Sequence, residues 1–334
     1  MKQLNNLYSV GITGIGSFVP EKVLTNFDLS QMVDTSDEWI VTRTGIRERR
    51  IVEKNVSTSD IATIAAREAL IDGKVDPKEI DLIIVATATP DMFFPATASI
   101  VQKNIQATNA AAFDISVGCS GFIYGLSIGY NMVRAGTCKK VLVIGGETLS
   151  KIVNWEDRNT CVLFGDGAGA CILEKCEKGF GFLSFDLGSD GEGGHLLSQP
   201  AGGSRLPASF DTVSNKLHTI KMDGREVFKF AVRIIEKSSE AVLKSANLSL
   251  EDIDYLIPHQ ANIRIIQSAK NKLKLDDDKI YINLDRYGNM SAASIPVALN
   301  EAYRDGLLKR GDIILLVAFG AGLSWGSTIL KWIK

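Results

Sequence analysis

Cys119 stands where an apolar, β-type run, Ala112-Phe113-Asp114-Ile115-Ser116-Val117, breaks at Gly118. A helical pattern follows, with Phe122, Ile123, Leu126, Ile128, Met132 and Val133 as its apolar face. A thiol at such a strand-to-helix turn faces the positive end of the helix dipole. That position is expected to lower its pKa by one or more units from about 8.5. Two later segments offer partners: Ile257-Pro258-His259-Gln260-Ala261-Asn262 and Tyr287-Gly288-Asn289-Met290-Ser291-Ala292-Ala293-Ser294. Cysteine, histidine and asparagine drawn from distant stretches suit thioester chemistry on one activated thiol. Each residue also has a plain reading: Cys119 as a small buried hydrophobe, His259 as a satisfied structural histidine, Asn289 as a turn former after glycine.

The elements that must position these groups read as a duplication. An amphipathic helix from about Thr58 to Leu70 precedes Asp81 and a buried strand, Leu82–Thr87. A second helix, about Gly224 to Ala246, precedes Asp254 and the strand Tyr255–Pro258. Cys119 lies 38 positions after Asp81, and Asn289 lies 35 after Asp254. The strand Val141–Ile144 runs into Gly145, 64 positions after Asp81; Ile313–Val317 runs to Gly320, 66 after Asp254. Continuous Val/Ile/Leu strands alternating with helices indicate mixed or parallel sheets covered on both faces. Two such halves, 1–180 with the cysteine and 181–334 with histidine and asparagine, would stack as a layered α/β/α/β/α body. Leu187–Leu217, rich in Gly, Ser and Pro, reads as a long loop region, and loops of that length are usually functional.

The totals exclude several classes. A net charge of −2 argues against a dedicated nucleic-acid binder. Five scattered cysteines (119, 138, 161, 171 and 176) with no Cys-x-x-Cys pair read as reduced thiols in a cytosolic compartment. Three histidines (195, 218 and 259), none near a second ligand at metal-site spacing, predict no metal site. The stretch Met1–Tyr8 lacks the apolar run of a signal peptide. The longest apolar runs, Leu82–Ala86, Val141–Ile144 and Ile313–Phe319, fall far short of the roughly 20 residues a membrane span needs. A cytoplasmic protein without membrane contact is expected.

The three motifs together resemble β-ketoacyl-acyl carrier protein synthase III, the initiating condensing enzymes of bacterial fatty-acid synthesis in the thiolase superfamily. The likeness spans essentially the whole chain. It includes Val33–Arg49 (VDTSDEWIVTRTGIRER), Phe164-Gly165-Asp166-Gly167-Ala168-Gly169-Ala170 and Ala318-Phe319-Gly320. The resemblance implies the five-layered thiolase fold. It also implies an acyl-CoA primer, most often acetyl-CoA, malonyl-acyl carrier protein as extender, and no cofactor beyond the CoA thioester as substrate. Cys119 would carry the acyl group. Neutral His259 and Asn289 would donate hydrogen bonds to the enolate formed on decarboxylation. The backbone N–H groups of Cys119 and Ala321 would form a second oxyanion hole. Here Phe319-Gly320-Ala321-Gly322 replaces an all-glycine run, which keeps the N–H and alters only backbone freedom and pocket volume.

Thr35-Ser36-Asp37-Glu38 reads as a capping box that opens a helix, with Trp39 and Arg43 on one face at i and i+4. A flat ring beside a guanidinium suits an adenine with phosphates, although a core-anchoring tryptophan has the same pattern. The resemblance assigns CoA binding to both, with Thr35, Arg158, Gly224, Phe228, Ala261 and Asn262. Arg225, Lys229, Arg233 and Lys237, each four apart, make either a solvated face or a basic ridge that steers an acidic carrier. By resemblance the docking segment is Gln260, Ala261, Asn262, Ile263 and Arg264, joined by Lys229. Phe94 and Phe319 are implied in the acyl pocket, Phe94 reaching into the partner's pocket across a homodimer interface. Ordinary core packing is the other reading of Phe94. Gly165–Ala170 lacks the Lys-Ser/Thr of a phosphate loop and reads as close packing; Gly11, Gly14 and Gly16 read as a tight strand start.

Three other functions share parts of this pattern: a condensing enzyme of secondary metabolism with a different primer, a 3-hydroxy-3-methylglutaryl-CoA synthase, and a non-enzymatic acyl-CoA scaffold. The second needs a general-acid glutamate motif that the sequence does not offer. The third needs a lost catalytic residue, and all three are present.

Overall fold

Two aspartates set the frame. Asp81 Oδ2 accepts the backbone N–H of Lys140, 59 positions on (3.0 Å), and Asp254 Oδ2 accepts that of Ile313, also 59 positions on (2.8 Å). Each aspartate's own N–H returns a bond to the carbonyl of the same residue, at 3.0 Å in both cases. These reciprocal pairs start two parallel strand pairings in register. The computed structural model describes residues 7–334. Met1–Asn6, most of the stretch read above as lacking a leader, lies outside the described residues.

The first sheet comprises β1 (Ser9–Phe18), β2 (Leu82–Ala86), β3 (Ala111–Ile115), β4 (Lys140–Thr148) and β5 (Asp166–Cys176), in the order β1-β5-β4-β2-β3. The second comprises β6 (Gly181–Ser189), β7 (Tyr255–Pro258), β8 (Ile313–Gly320) and β9 (Ser324–Lys331), in the order β6-β9-β8-β7. The orders match strand for strand. A counterpart of β3 is reduced to a single parallel bridge, Leu256 to Ile280. Both sheets are mixed, with β2 parallel to β3 and β4, and β7 parallel to β8.

Strand alternation sorts the core into layers. From β4, Leu142 and Ile144 meet α2 (Thr58–Gly73) and α3 (Thr97–Asn104) in one cluster with Ile61, Ala65 and Val101. From the same strand, Val141 and Val143 face the middle of the molecule. There α4 (Gly121–Arg134) and α7 (Ser294–Arg304) lie between the sheets, placing Phe122, Leu126, Ile295 and Leu299 against Leu316 and Leu330. Leu315 and Val317 face the other way, toward α5 (Gly224–Ala246) and α6 (Ile263–Leu273). The result is the five-layered α/β/α/β/α thiolase-like arrangement. The α1 helix (Asp37–Thr44) packs beside α6 at one end.

Several expectations need correction. Cys119 does not correspond to Asn289 in the repeat. Both halves enter their central helix through a 3₁₀ turn, Gly118–Ser120 and Ser291–Ala293, so the counterpart of Cys119 is Ala292. Ala292 is the thirty-eighth residue after Asp254, as Cys119 is after Asp81, and no insertion blurs this part of the register. By the same count Gly320 pairs with Glu147 rather than Gly145. The capping box is also one residue out: Ser36, not Thr35, is the N-cap, in extended conformation with its hydroxyl accepting Trp39 N–H (3.1 Å). Gly14 and Gly16 lie inside β1, not at a tight start. A Cβ on either would come within 2.4 Å of the Ala69 backbone, so both glycines admit α2. Leu187–Leu217 begins as the end of β6 and carries a 3₁₀ turn, Gly191–Leu196, and a short helix, Phe210–Ser214. Among the described residues no helix is long and apolar enough to cross a membrane, and no three His, Cys, Asp or Glu cluster as a metal site.

Gly16→Ala places its methyl against helix backbone that cannot swing aside. We expect about 1–3 kcal/mol of lost stability, read as a lower urea midpoint with an unchanged m value.

Candidate active site

Cys119, His259 and Asn289 line one cavity of about 1080 Å³, together with Phe319 and Gly320. All three are nearly closed off from solvent, at 8%, 2% and 7% exposure. Gly118, at φ +50°, makes the turn that presents Cys119, in a left-handed conformation that favours glycine. Gly320 lies directly against Cys119: a Cβ there would sit 3.1 Å from the sulfur.

His259 is delivered by the end of β7, its backbone N–H donating to Val317 of β8 (2.8 Å). Nδ1 bonds the Ser294 hydroxyl (2.7 Å), which leaves Nε2 for the cavity. The ring meets Phe319 edge-on, with centroids 5.4 Å apart. Burial pushes its pKa down to about 3, so the imidazole is neutral at working pH, as a donor to an enolate must be.

Asn289 is held by backbone on both sides. Its N–H donates to Leu163 (2.8 Å) and its carbonyl accepts Gly165 N–H (3.0 Å). Its side-chain Oδ1 accepts Ser291 N–H (2.8 Å), so the amide nitrogen is the end left for the cavity. The glycine-rich Phe164–Ala170 segment makes room for this loop, in agreement with the close-packing reading. A Cβ at Gly165 would fall 2.3 Å from the Tyr287 carbonyl, and one at Gly167 2.6 Å from Met290 Sδ.

The thiol contradicts one expectation. Burial pushes Cys119 up to about 12 instead of letting the helix end lower it. Desolvation of the charged form outweighs the Ser291 hydroxyl, which acts in the opposite sense, and the carboxylate of Glu147 adds to the rise. Cys161 and Cys176 are also raised, each to about 11, by burial.

Of the residues tied to CoA, Trp39, Arg43, Gly224, Phe228, Ala261 and Asn262 line the cavity. Thr35 and Arg158 do not. Arg158 nonetheless stacks on Trp39 (5.3 Å), as Arg43 does (4.5 Å), while donating to the Asp34 carbonyl (2.8 Å). Asn262 caps α6 and donates to Arg43 O (3.0 Å), tying that rim together. Arg225, Lys229, Arg233, Lys237 and Arg264 are exposed, and Arg264 lies over Phe228 (5.6 Å). Gln260 is different. It is fully buried, bonded to Pro258 O (2.8 Å) and Asn283 N (3.1 Å), so its side chain offers nothing to a docking partner. Ile263 is half-buried against Gly45. Ala321 is not part of the cavity wall, although its N lies 3.2 Å from where a Gly118 Cβ would be. Phe94 is 86% exposed, which rules out ordinary core packing in this chain. Sequence reasoning missed Ser294, Ser291 and Glu147; the first two stand in the quoted Asn289 motif and could have been asked for.

A thiol, an imidazole and a carboxamide gathered in a single cavity of a layered α/β body are the groups a condensing enzyme of the thiolase fold would use. The 3-oxoacyl-acyl-carrier-protein synthase III family matches residues 113–191, and its C-terminal family matches 243–332. A β-ketoacyl-acyl-carrier-protein synthase III of Caldanaerobacter subterraneus is 63% identical, with 98% of each chain covered. One from Desulfitobacterium hafniense is 57% identical over 98% of this chain and 99% of its own. The crystal structure of the Aquifex aeolicus synthase III superposes with a TM-score of 0.90 at 47% identity, covering 97% of this chain and 100% of that one. The chain belongs to the β-ketoacyl-acyl carrier protein synthase III family, condensing acyltransferases that initiate fatty-acid synthesis.

Ser294→Ala frees Nδ1 and lets the neutral ring choose its tautomer. Decarboxylation of malonyl thioester should fall by about 10²-fold, the scale of one lost oxyanion donor, while acylation of Cys119 changes little. Separate single-turnover assays of the two half-reactions check this.

Proposed function

We propose that the protein joins an acetyl-CoA primer to malonyl-acyl carrier protein, releasing CoA and carbon dioxide and leaving a β-ketoacyl-acyl carrier protein. The supporting observation is the shared cavity: one acyl group on Cys119 would lie within reach of both His259 and Asn289. Cys119 attacks the primer carbonyl, and the Cys119 and Ala321 N–H groups receive the charge that develops on its oxygen. The extender then loses carbon dioxide, its thioester oxygen held by His259 Nε2 and Asn289 Nδ2. The resulting carbanion takes the acyl group from sulfur. No resident cofactor takes part; CoA enters as substrate.

The Trp39 face, braced by Arg43 and Arg158, would receive the adenine and phosphates, with Thr35, Gly224, Phe228, Ala261 and Asn262 around it. The exposed Arg225, Lys229 and Arg264 along the same rim would meet the acidic carrier. Exposed Met92, Phe93 and Phe94 would be covered by a second copy, Phe94 closing the partner's acyl pocket beside Phe319. The halves 1–180 and 181–334 divide the work, the first supplying the nucleophile and the second the donors. The cytoplasm is the expected compartment.

A primer panel of acetyl-, isobutyryl- and longer acyl-CoAs with malonyl-acyl carrier protein tests the reading. Acetyl-CoA should give the highest kcat/KM, and a clear preference for a branched or long primer would overturn the primer assignment. Arg264→Glu should weaken carrier-dependent turnover and spare acyl transfer from CoA; equal loss of both would remove the docking role.

A further inference from the structure

Helix α7 begins at the residue that fixes the histidine ring and carries, seven residues on, a carboxylate with no place in the chemistry of the cavity. Ser294 and Glu301 are two turns apart and so lie on one face of α7, about 10 Å apart along its axis. Ser294 Oγ meets His259 Nδ1 (2.7 Å) and accepts the Gln260 backbone N–H (3.4 Å). Glu301, its side chain 20% exposed, collects donors from the turn Asn283–Tyr287. Oε2 accepts from Asn283 Nδ2 (2.7 Å) and Arg286 Nη2 (3.1 Å), and Oε1 accepts from the Tyr287 hydroxyl (2.5 Å). Glu301, Asn283, Arg286 and Tyr287 all lie outside the cavity wall.

The turn held by Glu301 reaches both donor segments. On one side Tyr287 is followed by Gly288 (φ +65°) and then Asn289. On the other, the Asn283 backbone N–H donates to Oε1 of Gln260 (3.1 Å), the residue directly after His259. Gln260 Nε2 in turn donates to Pro258 O (2.8 Å) and Tyr281 O (3.2 Å), so its fully buried amide laces the His259 loop to the stretch that enters the turn. The two segments that supply the imidazole and the carboxamide are thus pinned to one another and to one helix. The equivalent helix of the other half carries nothing comparable. Gly121 opens α4 as Ser294 opens α7, and Ile128 stands where Glu301 stands. Gly121 packs against Ala86, and Ile128 against the apolar core. That half presents its thiol on the turn itself and has no pair of donors to hold at a set separation.

Resting on the condensing reading, we propose that Glu301 is a positioning residue for decarboxylation. Through Asn283 and Tyr287 it sets the separation of His259 and Asn289, while Ser294 on the same helix sets the histidine ring. An oxyanion is stabilised only when both donors reach it at hydrogen-bond distance, and a displacement of about 1 Å can cost about 10²-fold in rate. Burial, then the bond to Glu301, pushes the Tyr287 phenol up to about 12, so it remains a donor to the carboxylate. The ion pair with Arg286 is secondary: Arg286 is exposed, and a pair of that kind contributes little. The placing of two acceptor atoms matters, not the charge. Cys119 rides on the turn of the other half, outside this hydrogen-bond network, so acylation does not depend on it.

Glu301→Ala removes both acceptors. Malonyl-carrier decarboxylation measured without primer should fall by about 10- to 10²-fold, with kcat carrying the loss and KM nearly unchanged. Acylation of Cys119 by acetyl-CoA, followed by stopped flow, should change by less than about threefold. The acylation amplitude counts folded sites, so both rates are compared per folded site. Glu301→Gln should bring decarboxylation back to within about threefold of the parent, since its carboxamide accepts from Asn283 through oxygen and donates to the Tyr287 hydroxyl through nitrogen. Equal losses in the two half-reactions per folded site, or parental decarboxylation in Glu301→Ala, would overturn the positioning role. A Gln variant as impaired as the Ala variant would overturn it too, by making the charge decisive. Should Glu301→Ala fail to fold, Tyr287→Phe decides: decarboxylation should slow about fivefold, the scale of one net hydrogen bond, with acylation unchanged. Absence of that split would overturn the role. Loss of acylation or decarboxylation in the parent itself would instead count against the condensing reading.

Discussion

The face-to-face packing of two short turns, Gly118–Ser120 and Ser291–Ala293, governs the rest of the site. Each turn launches one central helix, α4 or α7, and each is pressed against the end of a strand from the other half. A Cβ at Gly145 would lie 2.2 Å from the Ala292 carbonyl, and one at Gly320 2.9 Å from the Cys119 backbone nitrogen. The contact is therefore backbone against backbone, with little room to slide. Because the central helices are buried between two sheets, the turns are fixed by the whole core. A thiol and its donors can then be held in a common geometry without long flexible side chains.

The same burial sets the electrostatics. Removing water pushes Cys119 up and His259 down, and both outcomes favour neutral groups. For His259 this is the state its proposed donor role calls for, in a medium where each hydrogen bond to developing charge counts for more than in water. For Cys119 it favours the neutral thiol over the thiolate. The helix dipole acts in the thiolate's favour, but desolvation of the buried Cys119 is the larger effect.

Much of this architecture was legible in the sequence because it rests on local signals. Helix α5 and strand β7 appear within the predicted limits, Gly224–Ala246 and Tyr255–Pro258. The paired aspartates marked the duplication because each closes the same backbone bond. The register within the repeat was harder. Asn289 and Gly145 carry the stronger motif signals, yet the true counterparts of Cys119 and Gly320 are Ala292 and Glu147. Position in a turn, not residue type, is what the duplication preserves. Gln260 shows a second limit: a polar residue in a surface-type motif was buried to satisfy Pro258 and Asn283. Phe94 shows a third, since one chain cannot tell whether an apolar side chain left at its surface is covered by another.

The proposal as a whole requires that one cavity serve both half-reactions through a single sulfur. Intact-protein and peptide mass spectrometry, before and after malonyl-acyl carrier protein is added to acetyl-CoA-treated enzyme, tests it directly. The account predicts one acyl adduct per chain, confined to the Cys119 peptide and discharged when the extender arrives. An adduct on another residue, or one on Cys119 that the extender leaves in place, would contradict it.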